Sequence, residues 1–274
     1  VIYMLNADIT GDETVAHLVR AGLVTSLTCQ MFRDFDDHIM DLIPKLAPGD
    51  VVIIDSISSL ANQTRGDHKL GTDVLESVWD RSEIFFRDKY GQLGYEAAQQ
   101  QIMRRVRNIV AVGKNMTDQG AEPCRLYITA HQRDQIDPLT GIKGAFGPDL
   151  NTQFFNTLYA TASDMFRLDV ALEDITDPDT GAVKVAADTR MLYLKRSAEQ
   201  ICKNRCAPDV ARRLPAGFKD PTLPKLWRVL GRTAPCLVIY SPGGVGKTTL
   251  VCSEAQALYD AAKTAEATET KVPA

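Results

Sequence analysis

An apolar run, Cys236-Leu237-Val238-Ile239-Tyr240, empties directly into Ser241-Pro242-Gly243-Gly244-Val245-Gly246-Lys247-Thr248-Thr249. No other stretch restricts the fold as strongly, because it requires a buried strand, a glycine-rich turn and a helix start in immediate succession. The chemistry needs these residue types in this order. Gly243, Gly244 and Gly246 let the backbone wrap its N–H groups around an anion. Lys247 supplies a point charge for the β- and γ-phosphates of a nucleoside triphosphate, and the Thr248 hydroxyl supplies a ligand for Mg²⁺. The helix that begins near Thr248 directs its positive end at the same phosphates. Residues 241–249 are therefore expected to bind a nucleoside triphosphate, ATP or another, together with Mg²⁺. One position departs from the usual pattern: Ser241 stands where such a loop ordinarily opens with glycine.

A carboxylate for the metal lies far away in the chain. Val51-Val52-Ile53-Ile54-Asp55 is a continuous apolar run ending in an acid. That is the pattern of a strand buried on both faces of a parallel sheet. Asp55, at the carboxyl end of such a strand, is placed to hold Mg²⁺ through water. Pro48-Gly49-Asp50 before it reads as a turn.

The 274 residues are 45% hydrophobic and 24% charged, which leaves room for one large domain or two small ones. No apolar stretch approaches the roughly 18 residues of a membrane span, and no secretory leader is recognisable. No membrane partner is expected, and the cytosol is the expected location. The chain opens on Val1 directly into the strand-like residues 1–6, which reads as a cut or rearranged beginning. A net charge of −4 gives no global attraction to nucleic acid, so any such partner needs a local basic patch. Among the six cysteines, at 29, 124, 202, 206, 236 and 252, only Cys202 and Cys206 are close in sequence. Neither a second pair nor a histidine cluster completes a zinc site, so they read as buried thiols. His17, His38 and His68 stand alone.

Strand-like segments recur at 1–6, 51–55, 125–130, 164–171, 190–195 and 236–240. Helices are predicted over 12–24, 34–46, 72–90 and 95–114. In the second of these Phe35, Ile39, Leu42 and Ile43 share a face; in the last, Ile102, Val106, Ile109 and Val110 do, leaving Arg104, Arg105 and Arg107 to solvent. Asp177-Pro178-Asp179-Thr180-Gly181 predicts a hairpin turn. Residues 207–235, rich in Pro, Arg and Lys, read as a tail wrapping a core. Residues 261–273 have little to bury and read as a flexible connection. No internal repeat is present. Strands and helices alternating around a phosphate loop predict an α/β fold with a mostly parallel central sheet flanked by helices.

Several of these segments carry a family resemblance. Residues 50–60, Asp-Val-Val-Ile-Ile-Asp-Ser-Ile-Ser-Ser-Leu, resemble the Walker-B strand of the RecA/RadA recombinase family. Residues 125–132, Arg-Leu-Tyr-Ile-Thr-Ala-His-Gln, resemble that family's next strand. Gly144-Ala145-Phe146-Gly147-Pro148, followed by Asn151-Thr152-Gln153, resembles its mobile DNA-binding loop, and residues 155–169 resemble the helix and strand after it. Cys202-Lys203-Asn204-Arg205 resembles a basic-Asn-basic segment that reaches the neighbouring subunit's nucleotide. The resemblance covers most of residues 1–206 plus 236–260 and is nearest to compact, phage-type RecA-core ATPases. It implies a RecA-like P-loop core over 1–206, a wrapping segment over 207–235, and a P-loop strand and helix in 236–274 that complete the same core. The order differs from the family's, in which the P-loop comes first. Joining Ala274 to Val1 restores that order, so the chain reads as a circular permutation, which is tolerated where the new ends fall in exposed loops.

The resemblance also implies roles. In RecA-like proteins a carboxylate after the second strand, usually Glu, orients the attacking water. Asp8 of Asn6-Ala7-Asp8 occupies that place, with Asp12 and Glu13 behind it; an Asp here also suits a helix cap. Gln132, with His131 beside it, is expected to sense the γ-phosphate and pass its state to the loop 133–153. In that loop Arg133, Lys143 and Phe146 are candidate DNA contacts, through phosphate charge and base stacking, while Asp134, Asp137 and Asp149 dilute the positive charge. Lys203 and Arg205 are candidate trans-acting cations. The catalytic set is thus Lys247, Asp8, Asp55, Gln132, Lys203 and Arg205. The expected function is an ATPase that binds single-stranded DNA and assists recombination or annealing, hydrolysing ATP at the interfaces of a homo-oligomer, filament or ring. A hexameric helicase-type motor and a nucleotide-switched assembly factor that never touches DNA are the alternatives.

Overall fold

The computed structural model describes residues 1–8, 11–30, 32–66, 93–136, 143–171, 174–176, 183–185 and 189–269. The predicted helix over 72–90, the turn at 177–181, His68 and Asp137 lie outside the described residues. In chain order the elements begin with β1 (Ile2–Asn6), α1 (Gly11–Arg20), β2 (Val24–Thr28), α2 (Phe32–Leu42), β3 (Val51–Asp55) and α3 (Ile57–Gly66). There follow α4 (Leu93–Asp118), β4 (Arg125–Ile136), β5 (Lys143–Pro148), α5 (Thr152–Thr161), β6 (Asp164–Ala171), β7 (Asp174–Thr176), β8 (Val183–Val185) and β9 (Thr189–Tyr193). The last are α6 (Pro208–Arg213), β10 (Gly217–Lys219), α7 (Leu223–Leu230), β11 (Cys236–Ser241), α8 (Lys247–Val251) and α9 (Ser253–Glu269).

The main sheet runs β10-β9-β6-β11-β4-β3-β1-β2, with β5 paired to the far end of β4. From β6 to β2 every neighbouring pair is parallel, and β9 and β10 close one edge antiparallel. The central strands read as continuous apolar runs because both of their faces are covered. Val52, Ile54, Leu126, Ile128 and Val238 point into one core, with Phe35, Ile39, Ile102 and Val106 from the helices. Ile53, Tyr127, Leu237 and Ile239 point into the other, with Leu18, Leu226, Leu230, Leu250 and Val251. The α/β class with a mostly parallel, helix-flanked sheet is as the sequence predicts.

Three local expectations change. The helix predicted over 12–24 stops at Arg20, because Gly22 adopts φ 71° and the Leu23 N–H turns back to the Leu18 carbonyl at 3.0 Å, a glycine-capped helix end. The chain then forms β2, an edge strand whose Thr25, Ser26 and Thr28 hide it from any apolar-run criterion. Residues 207–235 do not merely wrap the core. They contribute α6, β10 and α7 to it, and α7 buries Leu223, Leu226 and Leu230. The connection expected from 261 onward is helical as far as Glu269. In α4, Ile102, Val106 and Ile109 are buried as predicted while Val110 is only partly so. Arg105 leaves the solvent face to pair with Asp36 at 2.6 Å. Among the described residues no helix is long and apolar enough to cross a membrane.

Candidate functional site

β11 ends at Ser241, and the chain turns through residues 242–246 into α8. Gly244 and Gly246 hold φ of 76° and 87°, a region that a Cβ disfavours. Ser241 is the fully buried last residue of the strand, without a positive φ. That explains why this position does without glycine. Its hydroxyl donates to the Pro242 carbonyl at 2.7 Å. Lys247 is only 7% exposed. Its ammonium folds back onto the turn, donating to Ser241 Oγ at 3.1 Å and to the Pro242 carbonyl at 3.2 Å. Among the described residues no carboxylate comes within ion-pair distance of it. Burial lowers its pKa below the usual lysine value.

Asp55 meets this turn from across the sheet. β4 lies between β11 and β3, and Thr129 of β4 donates its hydroxyl to Asp55 Oδ1. Thr248, the second residue of α8, donates to Asp55 Oδ2 at 2.6 Å, joining residues 193 positions apart in sequence. Asp55 is 2% exposed. Burial raises its pKa above the usual carboxylate value, and the two hydroxyls work against that rise. A carboxylate and a hydroxyl in contact are two hard oxygen donors, the kind Mg²⁺ takes together with water. They fit the metal expected from sequence.

Asp8 follows β1, next to β3, and its backbone N–H donates to the Asp55 carbonyl at 3.1 Å. Its Oδ2 lies 3.6 Å from His131 Nε2. Burial, then the nearby Lys247 charge, lowers the His131 pKa below 6.5, while Asp8 acts in the opposite direction. Glu13, a fallback for the water-orienting role, is exposed on α1. Asp12 also belongs to α1.

Gln132, near the carboxyl end of β4, accepts from Arg167 Nε at 2.9 Å. Arg167 is 8% exposed, bonds Asp169 as well, and sets its guanidinium 4.3 Å from the Phe146 ring centre. The segment expected as an open Gly-rich loop is therefore corrected: residues 143–148 form β5, paired antiparallel to β4 with Phe146 opposite Asp134. The Phe146 ring, a candidate for base stacking, already has a guanidinium on it. Its carbonyl accepts from Tyr240 Oη at 3.0 Å. Arg133 is exposed and lies 3.7 Å from Asp149, and Lys143 opens β5.

Lys203 and Arg205 fall elsewhere. Lys203 Nζ donates to the carbonyls of Tyr159 and Ala162, and Arg205 donates to that of Ala160 at 3.0 Å. Both thus satisfy the carboxyl end of α5. They lie at the amino end of β6, beside Asp164, which is in register with Leu237 near the start of β11. They are at the opposite end of the strands from their own glycine-rich turn.

Three partners escaped sequence reasoning: Thr129, Arg167 and Arg190. Each is a polar residue inside a strand, and that was the available signal. A Cβ placed on Gly246 would come within 3.2 Å of Arg190 Nη1, so this arginine reaches the turn from β9. No protein-family model matches the chain, and comparison with curated proteins and with solved structures finds no significant match.

Proposed function

We propose that the chain is a Mg²⁺-dependent ATPase with a RecA-like P-loop core, presented in circularly permuted order, that couples its nucleotide state to single-stranded DNA. The observation that carries the reading is the Thr248–Asp55 hydrogen bond at 2.6 Å. Two motifs at opposite ends of the chain, each pointing separately to a metal–nucleotide site, meet in one place with a buried cation beside them. The strand order supports the permuted reading, since the last strand in sequence lies inside the sheet between β6 and β4.

In this mechanism the turn 242–246 binds phosphates through its backbone N–H groups, and Lys247 leaves Ser241 and Pro242 to meet the β- and γ-phosphates. Thr248 and Asp55 would hold Mg²⁺, which would supply positive charge against the phosphate oxygens. Asp8 orients the attacking water from the β1 side and takes up its proton. Gln132 senses the γ-phosphate and, through Arg167, transmits its state to β5. Lys203 and Arg205 serve the nucleotide of the next subunit in an oligomer.

A second reading, a nucleotide-switched assembly factor that does not bind DNA, draws on the Arg167–Phe146 stack, which occupies the ring offered for bases. ATP hydrolysis measured with and without single-stranded DNA, with Lys247→Ala as the blank, separates the two. DNA-stimulated turnover is the expected result. A DNA-indifferent rate without ATP-dependent DNA binding favours the assembly factor. A rate no higher than the blank removes the ATPase reading.

A further inference from the structure

We infer that Arg190 is a positioning cation for the α-phosphate, holding the sugar end of the nucleotide from within the same chain. This rests on the nucleotide-binding reading above and assigns a residue that neither the glycine-rich motif nor the family resemblance supplied.

Strand alternation aims the side chain. Residues of one parity in β9 share a face of the sheet. Leu192 and, just past the strand, Leu194 lie in the same core as Leu250 and Val251 of α8, with Val245 of the turn packed against it. Arg190 shares their parity, so it projects on the face that carries α8. Its position along the sheet sets its height. Arg167 is in register with Tyr240 of β11, whereas Arg190 pairs with Val170, three residues further along β6. That puts Arg190 beyond the end of β11, level with the turn. The proximity follows: a Cβ on Gly246 would lie 3.2 Å from Arg190 Nη1, 3.7 Å from its Cδ, and 3.7 Å from Thr249 Oγ1.

The side of approach identifies the ligand atom. β3 and β1, which bring Asp55 and Asp8, lie to one side of β11 beyond β4; β9 lies to the other side, beyond β6. Metal and water-orienting groups therefore mark the γ end. Arg190, next to Gly246 and Thr249, marks the opposite end of a triphosphate laid along the turn. The backbone of Arg190 is fixed, its carbonyl accepting from the Asp220 N–H at 2.8 Å. The residue is partly exposed, and no carboxylate among the described residues pairs with its guanidinium. A planar donor set carried on a fixed backbone, with unspent capacity, is suited to a phosphate oxygen.

The test is equilibrium binding of Mg–ATP and Mg–ADP to the wild type, Arg190→Ala, Arg190→Lys and the control Arg196→Ala, joined to steady-state kinetics. Removing one charge-assisted hydrogen bond weakens affinity by about tenfold. Arg190→Ala should therefore weaken ATP and ADP alike by about tenfold and raise KM with little change in kcat. Arg190→Lys should recover part of the affinity, and Arg196→Ala should bind as the wild type does. Weakening confined to ATP, or a fall in kcat at constant KM, would place Arg190 on the γ-phosphate and overturn the assignment. Equal binding by Arg190→Ala and a nucleotide-binding wild type overturns the inference alone. A wild type that binds neither nucleotide overturns the underlying reading with it.

Discussion

Lys247 and Asp55 are held in a state that folding alone does not favour. Burial raises the Asp55 pKa above its ordinary 3.8, so its carboxyl supports the fold when protonated, and that support is lost as pH rises through the folded value. Burial lowers the Lys247 pKa below 10.5, so its amine supports the fold above that pH, and the support is lost as pH falls through the folded value. Burial thus works against the charged form of each group, and a polyanion with its divalent cation offsets that cost. Lys247→Met should therefore raise the stability of the ligand-free protein near neutral pH by about 1 kcal/mol, as replacing strained functional groups often does, or about 2–4 °C in Tm. Thermal melts should show the rise and, with Mg–ATP added, no further shift, whereas the wild type should gain several degrees. A ligand-free Lys247→Met protein that melts well below the wild type would mean that the ammonium is a structural staple. Asp8 acts at the same scale. Asp8→Asn keeps the shape of the side chain and removes the base, so turnover should fall by about 10²–10⁴-fold while ATP affinity stays within a few-fold. Normal turnover would return Asp8 to a capping role.

At the scale of elements, the hairpin of β4 and β5 is tied to the site by Arg167 and Tyr240, which are in register on β6 and β11. Arg167 reaches Gln132 and Phe146. The Tyr240 hydroxyl donates toward the carbonyls of Phe146 and Ile201 at 3.0 and 2.8 Å and accepts from the Ile201 N–H at 3.1 Å, and its burial raises its pKa far above the usual phenol value. Tyr240→Phe takes a donor from the Ile201 carbonyl, while the Phe146 carbonyl and the Ile201 N–H keep their bond to each other at 3.0 Å, so it costs about 1 kcal/mol. Urea denaturation should show that destabilisation, and amide exchange should quicken at 146 and 201 more than in β3; uniform exchange would show that the tie is not local. The same elements show what a sequence makes legible. β3 and β11 stand out because burial on two faces leaves an almost unbroken apolar run. β2 is half polar at an edge, β10 has three residues, and β5 exists only through its pairing, so none leaves a local pattern. In the candidate site Asp55, Lys247 and Thr248 were legible because a short motif fixes each of them. Thr129, Arg167 and Arg190 owe their places to register between strands far apart in the chain, which no local spacing encodes. The helix predicted over 12–24 overruns because it continues past Gly22, whose positive φ caps the helix.

For the whole molecule, charge is segregated along the sheet. Residues 190–232 carry eleven lysines and arginines against three carboxylates, a net +8 that leaves −12 on the remainder of a chain whose total is −4. These residues build the edge of β9 and β10 with α6 and α7, and Arg212, Arg213, Lys225 and Arg228 are exposed there. Residues 1–50, with eight carboxylates against three lysines and arginines, build the opposite edge at β1 and β2. Part of that acidity is already spent internally, on Arg105 by Asp36. A polyanion approaching such a dipolar molecule is drawn to the β10 edge and repelled from the other. If single-stranded DNA is the partner, the hairpin residues Arg133, Lys143 and Phe146 contribute less than this edge. The charge-reversed protein Arg212→Glu, Arg213→Glu, Lys225→Glu, Arg228→Glu should no longer bind DNA at about 100 mM salt, and the slope of log affinity against log salt should flatten by about 0.7 for each phosphate neutralised by a removed cation. Combined Lys143→Ala and Phe146→Ala should leave that slope nearly intact. The reverse pattern, with no binding by the hairpin variant and normal binding by the edge variant, would put the strand on β5 and leave the basic edge for the acidic edge of another copy.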